Sequence, residues 1–122
     1  MRYMENLKPS RLTAHEAIIQ NIIRIAPYMN IHHHVPGRIR LKTNPAFLAA
    51  IRGIDFDNMI RSIPGVLDHR VNLPARSVVI EYDPRRLPYA LWESVGHIRH
   101  NPRLVAQVTD QMHALWAGEV GK

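Results

Sequence analysis

The spacing of apolar residues changes at Gly37, and that change constrains the fold more than any other feature of the chain. Before it, Ile18, Ile19, Ile22, Ile23 and Ala26 recur at helical spacing; after it, Ile39 and Leu41 alternate with Arg38, Arg40 and Lys42. Alternation of apolar and charged residues marks a strand with one side on a core and the other in water. "TAHEAIIQNIIRIAP" predicts a helix from about Ala14 to Ile25, opened by Thr13 and Glu16 in capping-box spacing and closed before Pro27.

Beyond the first strand, "NPAFLAAIRGIDFDNMIRSIPGV" predicts a helical stretch interrupted at Gly53 and stopped by Pro64-Gly65. "VLDHRVNL" and "SVVIEYD" read as two strands around a turn at Pro74 to Arg76. A helix follows from near Leu87, with Leu91, Val95 and Ile98 inward. Asn101-Pro102 supplies a cap and a first-turn proline for a last helix striped by Leu104, Val105, Val108, Met112 and Leu115. The order strand, helix, strand, strand, helix is most of a split βαβ unit, with a helix standing where a fourth strand would be expected. The predicted class is α+β: a ferredoxin-like split βαβ sandwich with an antiparallel sheet and extra N-terminal and C-terminal helices. The expected boundaries are an N-terminal helical extension over 1–31, the sandwich over 32–100 and a C-terminal helix over 101–122.

At 122 residues and 46% hydrophobic content the chain can bury one core. Lys+Arg 16 against Asp+Glu 10 gives a formal charge of +6, which favours anionic partners without choosing among nucleic acid, acidic lipid, an acidic protein face or a carboxylate-bearing cofactor. With no cysteine there is no disulfide, thiolate ligand or Cys nucleophile. "MRYMENLKPSRL" lacks the apolar centre of a signal peptide, and "AIIQNIIRIA" is far short of the ~20 residues of a membrane span. A cytoplasmic protein, in at most peripheral contact with a membrane, is expected.

The segment "SIPGVLDHRVNLPARSVVIEYDP" resembles the heavy-metal-associated domain family of small metallochaperones and metal-transporting P-type ATPases. Pro64-Gly65-Val66, Val71-Asn72, Ile80 and Tyr82-Asp83-Pro84 carry the likeness, which covers about residues 36 to 97. The family captures soft metal with a Cys-x-x-Cys loop at the start of its first helix. Here the corresponding region, Ala49 to Arg52, reads "AAIR", so thiolate capture is excluded. "HVPGRIRLK" is instead similar to a cysteine-free branch found beside iron-linked P-type ATPases. That likeness implies an accessory of iron or haem handling with a membrane metal-transporting ATPase as partner.

In "HHHVPGRIRLK" the side chains of Arg38, Arg40 and Lys42 share one strand face. His32 and His34 join it if the chain stays extended through Pro36-Gly37, and Arg70 follows by parity. The alternative is a solvated strand face partly neutralised by Asp68 and Glu81. His32, His33 and His34 are the candidate metal ligands, for iron, zinc or haem iron, although neighbours on a strand point to opposite faces. His97 and His100 have a spacing compatible with shared ligation, and equally with imidazolium at the negative end of a helix. His69 takes an inward position as a core histidine.

These readings favour a non-enzymatic accessory protein that binds a metal or an anionic ligand, or docks a transporter, through a His/Arg-rich sheet face, with Arg38, Arg40, Lys42 and Arg70 for the anionic group and His32, His33 and His34 for the metal. A nucleic-acid module would share the topology and the basic sheet but lacks outward aromatics for base stacking. An acylphosphatase-like phosphate cradle at "VPGRIR" has no supporting nucleophile or paired carboxylates. The two terminal apolar stripes and an uncovered sheet edge lead to the expectation of a homodimer.

Overall fold

The computed structural model describes residues 14–120, with side chains through residue 117. Thr13 of the expected capping box, the rest of 1–13, and 121–122 lie outside the described residues. Helix α1 spans Ala14–Ile25 and buries Ile19, Ile22 and Ile25. A 3-10 turn over Ala26–Tyr28, with Pro27 inside it, delivers the chain into strand β1, Met29–Val35. Strand β2 is Arg38–Thr43, helix α2 Phe47–Ala50, helix α3 Phe56–Arg61, strand β3 Val66–Asn72, strand β4 Ser77–Tyr82, helix α4 Tyr89–His97 and helix α5 Leu104–Val120.

The sheet is antiparallel and four-stranded, in the order β1-β2-β4-β3. This corrects the expectation of a helix in place of a fourth strand. The missing neighbour of β2 precedes it in the chain, and β1 begins at Met29, inside the segment expected as an N-terminal extension. Pro36-Gly37 is a tight turn and not a continuation of the strand: Val35 pairs with Arg38 and Gly37 has a φ of 91°. Proline followed by glycine at positive φ is the type II arrangement, which few other residues would accept.

The expected helical stretch after β2 is broken at Gly53, whose φ of 82° separates α2 from α3. Asp55 caps α3 by accepting from Asn58 N–H at 3.2 Å, and Phe47 and Phe56 meet edge to face at 5.5 Å across the break. Both rings are buried, so the break bends the segment around the core without exposing it. Pro64-Gly65 ends the helical segment as read.

One buried cluster runs from Ile19 to Trp116 and includes Ile39, Leu41, Val78, Ile80, Tyr82, Leu91 and Val108. The helices therefore lie on one face of the sheet and the other face is open. The stripes of α1 and α5 meet within one chain, where Ile19, Ile22, Val108 and Met112 are buried and His15 stacks on Trp116 at 5.0 Å. The reason given for a homodimer is thereby met without a second chain. Among the described residues no helix is long and apolar enough to cross a membrane.

Helix α4 rests on β1 through Gly96. A Cβ built there would lie 2.3 Å from Ile31 Cγ1 and 2.5 Å from Cδ1, so only hydrogen fits. Gly96→Ala gains about 1 kcal/mol of helix propensity but overpacks this contact, which costs roughly 1–3 kcal/mol. The expected outcome is a net loss in urea denaturation, much of it recovered when Ile31→Ala is added. Additive losses would show that the two residues are not in contact.

Candidate functional site

Strand register places side chains on the open face in three rows. His33, Arg40, Val79 and Arg70 form the middle row, one residue from each strand. Val35, Arg38, Glu81 and Asp68 form the row toward the turn, and Asn30, Lys42, Ser77 and Asn72 the row on its other side. The four cations expected on this face, Arg38, Arg40, Lys42 and Arg70, are all there.

They differ in what they touch. Arg38 Nε lies 3.7 Å from Glu81 Oε2 in a largely exposed pair, an arrangement worth about 0–1 kcal/mol. Lys42 donates to the Ala75 carbonyl at 3.1 Å. Arg40 and Arg70 have no hydrogen bond or ion pair among the described residues. Both neighbour Val79, so their Cα atoms are two strand spacings apart, about 10 Å. Two long guanidinium side chains at that separation can converge on one anion above the small Val79 side chain. The notch lined by Arg38, Asp68, Arg70, Val79 and Glu81 holds only about 20 Å³, so an anion would sit on the face and not in a pocket.

The histidines fall differently from the sequence expectation. The β1–β2 register shifts between Ile31 and His33, making His32 the extra residue of a bulge. One additional residue reverses parity, so His33 pairs with Arg40 on the open face and His34 pairs with Ile39 on the helix side. His34 therefore does not join the cationic face, and His33 does. Of the three proposed metal ligands, His33 and His34 lie on opposite faces of the sheet, and among the described residues no group of three His, Cys, Asp or Glu is placed to hold a metal ion. His32, His33 and His34 therefore do not all converge on one ion, and the apolar core cavity, at about 30 Å³, has no room for a porphyrin.

His34 is instead the centre of a buried polar cluster, its side chain 2% exposed. Its Nδ1 is 2.6 Å from Glu93 Oε2 on α4, and its Nε2 is 2.6 Å from the Tyr82 hydroxyl on β4. Tyr89 stacks on the ring at 3.8 Å and 11°, and its hydroxyl donates to the His34 carbonyl at 3.3 Å. A carboxylate can only accept, so Nδ1–H donates to Glu93 and Nε2 accepts from the tyrosine; every polar group is satisfied. With both nitrogens occupied and the ring sealed from solvent, His34 is a clamp and has no free position for a substrate. Beside the cluster, Trp92 packs on Tyr82 at 5.2 Å with its indole N–H buried and unpartnered, a cost of about 1–3 kcal/mol.

Sequence reasoning missed this cluster. Glu93 and Tyr89 stand four apart on one helix face and Tyr82 has inward parity, but their meeting with His34 depends on the bulge. His69 does face the helices as read; its side chain is 10% exposed, and Nε2 lies 2.7 Å from Asp57 Oδ1. Its backbone N–H donates to the Asp68 carboxylate at 2.8 Å.

Comparison of the chain with family models, with curated proteins and with solved structures finds no match in any of the three. The family resemblance therefore rests on the residues quoted for it.

Burial raises the Tyr82 hydroxyl above the usual tyrosine value; the Gly37 backbone works against it, and Tyr89 and Glu93 add to it. The folded state thus favours the neutral phenol. Its contribution to stability is fully present below the unfolded value of about 10 and is lost as pH rises through the higher folded value. Denaturation midpoints should fall above pH ~10 as Tyr82 ionises. In Tyr82→Phe that component should vanish, at a cost of about 1–3 kcal/mol at neutral pH from the unpaired His34 nitrogen. An ultraviolet titration in which no tyrosine signal of the wild type ionises late would contradict the burial.

Proposed function

We propose that this protein is a non-enzymatic accessory of iron or haem handling, built on a ferredoxin-like sandwich, which docks a carboxylate-bearing partner on the open face of its sheet. The observation that carries the reading is the middle row, where Arg40 and Arg70 flank Val79 with no counter-ion among the described residues. Planar guanidinium groups engage carboxylates through paired hydrogen bonds, and one unpaired arginine gains about 1.5–3 kcal/mol from such a contact. His33 and Arg38 extend the same surface on either side of Arg40.

The sandwich reading is supported by the order β2, α3, β3, β4, α4, with β1 covering the outer edge of β2. The iron or haem context comes from the resemblance of "HVPGRIRLK" and "IPGV" to the cysteine-free domains beside iron-linked ATPases. An acidic cytoplasmic loop of such a transporter and the propionates of haem present the same carboxylate chemistry. Docking in this reading is by charge and hydrogen bonding, without coordination by His32, His33 or His34. Outward positions of β2, β3 and β4 carry no aromatic ring, which weakens the competing nucleic-acid reading.

The test is titration with haem by absorbance and with an acidic peptide by calorimetry, using wild type, Arg40→Ala, Arg70→Ala and the double variant. The expected result is about a tenfold loss or more per arginine, with an unchanged thermal midpoint because both side chains lie on the open face. Undiminished binding in the double variant would overturn the proposal. Preferential binding of single-stranded RNA with a steep salt dependence would replace it with the polyanion reading.

A further inference from the structure

Two imidazoles outside this surface share one solvent-open hollow. Glu93, Ser94, His97, His100, Asn101 and Leu104 line it, at the end of α4 and the corner leading to α5. We propose that His97 and His100 together form a surface site for a divalent transition-metal ion of the kind imidazole binds, such as Zn²⁺. The site is independent of the anion-docking face and lies on the helix side of the molecule.

The first support is backbone geometry. His97 is the last residue of α4, but its carbonyl accepts from His100 N–H at 3.0 Å and from Asn101 N–H at 2.9 Å. The helical turn continues past the assigned end, so side chains three apart lie side by side on its surface. Both histidines are exposed, and neither ring has to leave the core to meet an ion.

The second support is the fixed ring of His97. Its Nδ1 lies 2.6 Å from the Glu93 carbonyl, which can only accept, so Nδ1 carries the proton and Nε2 keeps its lone pair. Imidazoles that bind metals are commonly oriented in this way, with the distal nitrogen donating to a carbonyl or carboxylate. Three other histidines are engaged elsewhere: His34 and His69 are closed by carboxylates, and His15 stacks on Trp116.

The third support is charge. The C-terminal end of α4 presents the negative pole of the helix dipole to the hollow. Glu93, its side chain 33% exposed and its carboxylate held by His34, is among the residues lining the same hollow one turn earlier. These offset the nearby charges of Arg99 and Arg103. Because no group of three possible ligands forms among the described residues, the ion would take two imidazoles and complete its shell with water. Nitrogen ligands with open positions suit zinc, nickel or copper better than magnesium or calcium.

Calorimetric titration of the full chain with Zn²⁺, together with ¹⁵N NMR of the histidine rings, tests the site. The expected outcome is one saturable event, with the Nε2 resonances of His97 and His100 shifting first. His97→Gln/His100→Gln should abolish it without changing the thermal midpoint, and His32→Gln/His33→Gln should leave it intact. Absence of saturable binding, undiminished binding in the first double variant, loss confined to the second, or coordination through His97 Nδ1 would each overturn the proposal. None of these outcomes bears on binding to Arg40 and Arg70, so the two proposals fail separately.

Discussion

The ring of His34 is closed by Glu93 from α4 and by Tyr82 from β4, and covered by Tyr89 at the start of α4. Two elements, β4 and α4, are thereby tied to one side chain of the sequence-distant β1, in a setting where an unpaired polar group would cost about 1–3 kcal/mol. The clamp also holds β1 in register. A slip by one residue would turn His34 to water and His33 to the core, breaking all of these contacts together. The bulge at His32 is thus a necessary part of the sheet: it lets Ile31 meet Gly96 on α4 while His33 stays beside Arg40 on the opposite face.

Polar groups are treated differently on the two faces of the sheet. On the helix side His34 and His69 are each given a carboxylate, Glu93 and Asp57. On the open side Arg40 and Arg70 have none among the described residues, although Glu81 and Asp68 stand in the neighbouring row and Arg38 takes Glu81. Two unpaired cations in a chain of formal charge +6 repel each other and add nothing to folding. The open face thus carries cations that the proposed anion would meet, while on the helix side both histidines are paired with carboxylates.

Much of this was legible in the sequence. Alternation in "GRIRLK" located β2 and its cationic face, and the parity of "VLDHRVNL" put Arg70 outward and His69 inward. The helix ends at Pro27 and Pro64-Gly65 follow from residues that cannot continue a helix. What was hidden is concentrated in "MNIHHHVPG". Three consecutive histidines carry no alternation, and a bulge erases the period by which a strand is recognised. Pro36-Gly37 is compatible with either a turn or an extended run. The strand, the reversal of the histidines and the His34 cluster all depend on that one ambiguity. The meeting of α1 with α5 was foreseeable only as one of two options, because an amphipathic stripe does not say whether its partner lies in the same chain.

Both margins of the sheet are finished by side chains. On β3 the Asp68 carboxylate takes the His69 N–H, and on β1 the Tyr89 hydroxyl takes the His34 carbonyl. Each strand is also kinked by a register shift, at His32 and near Leu67. An incoming strand would find one backbone group on each edge already engaged and the backbone bent away from a straight ladder. Both edges are thereby made poorer templates for a further strand, so that crowded copies of the chain meet an obstacle to growing edge to edge into a fibre.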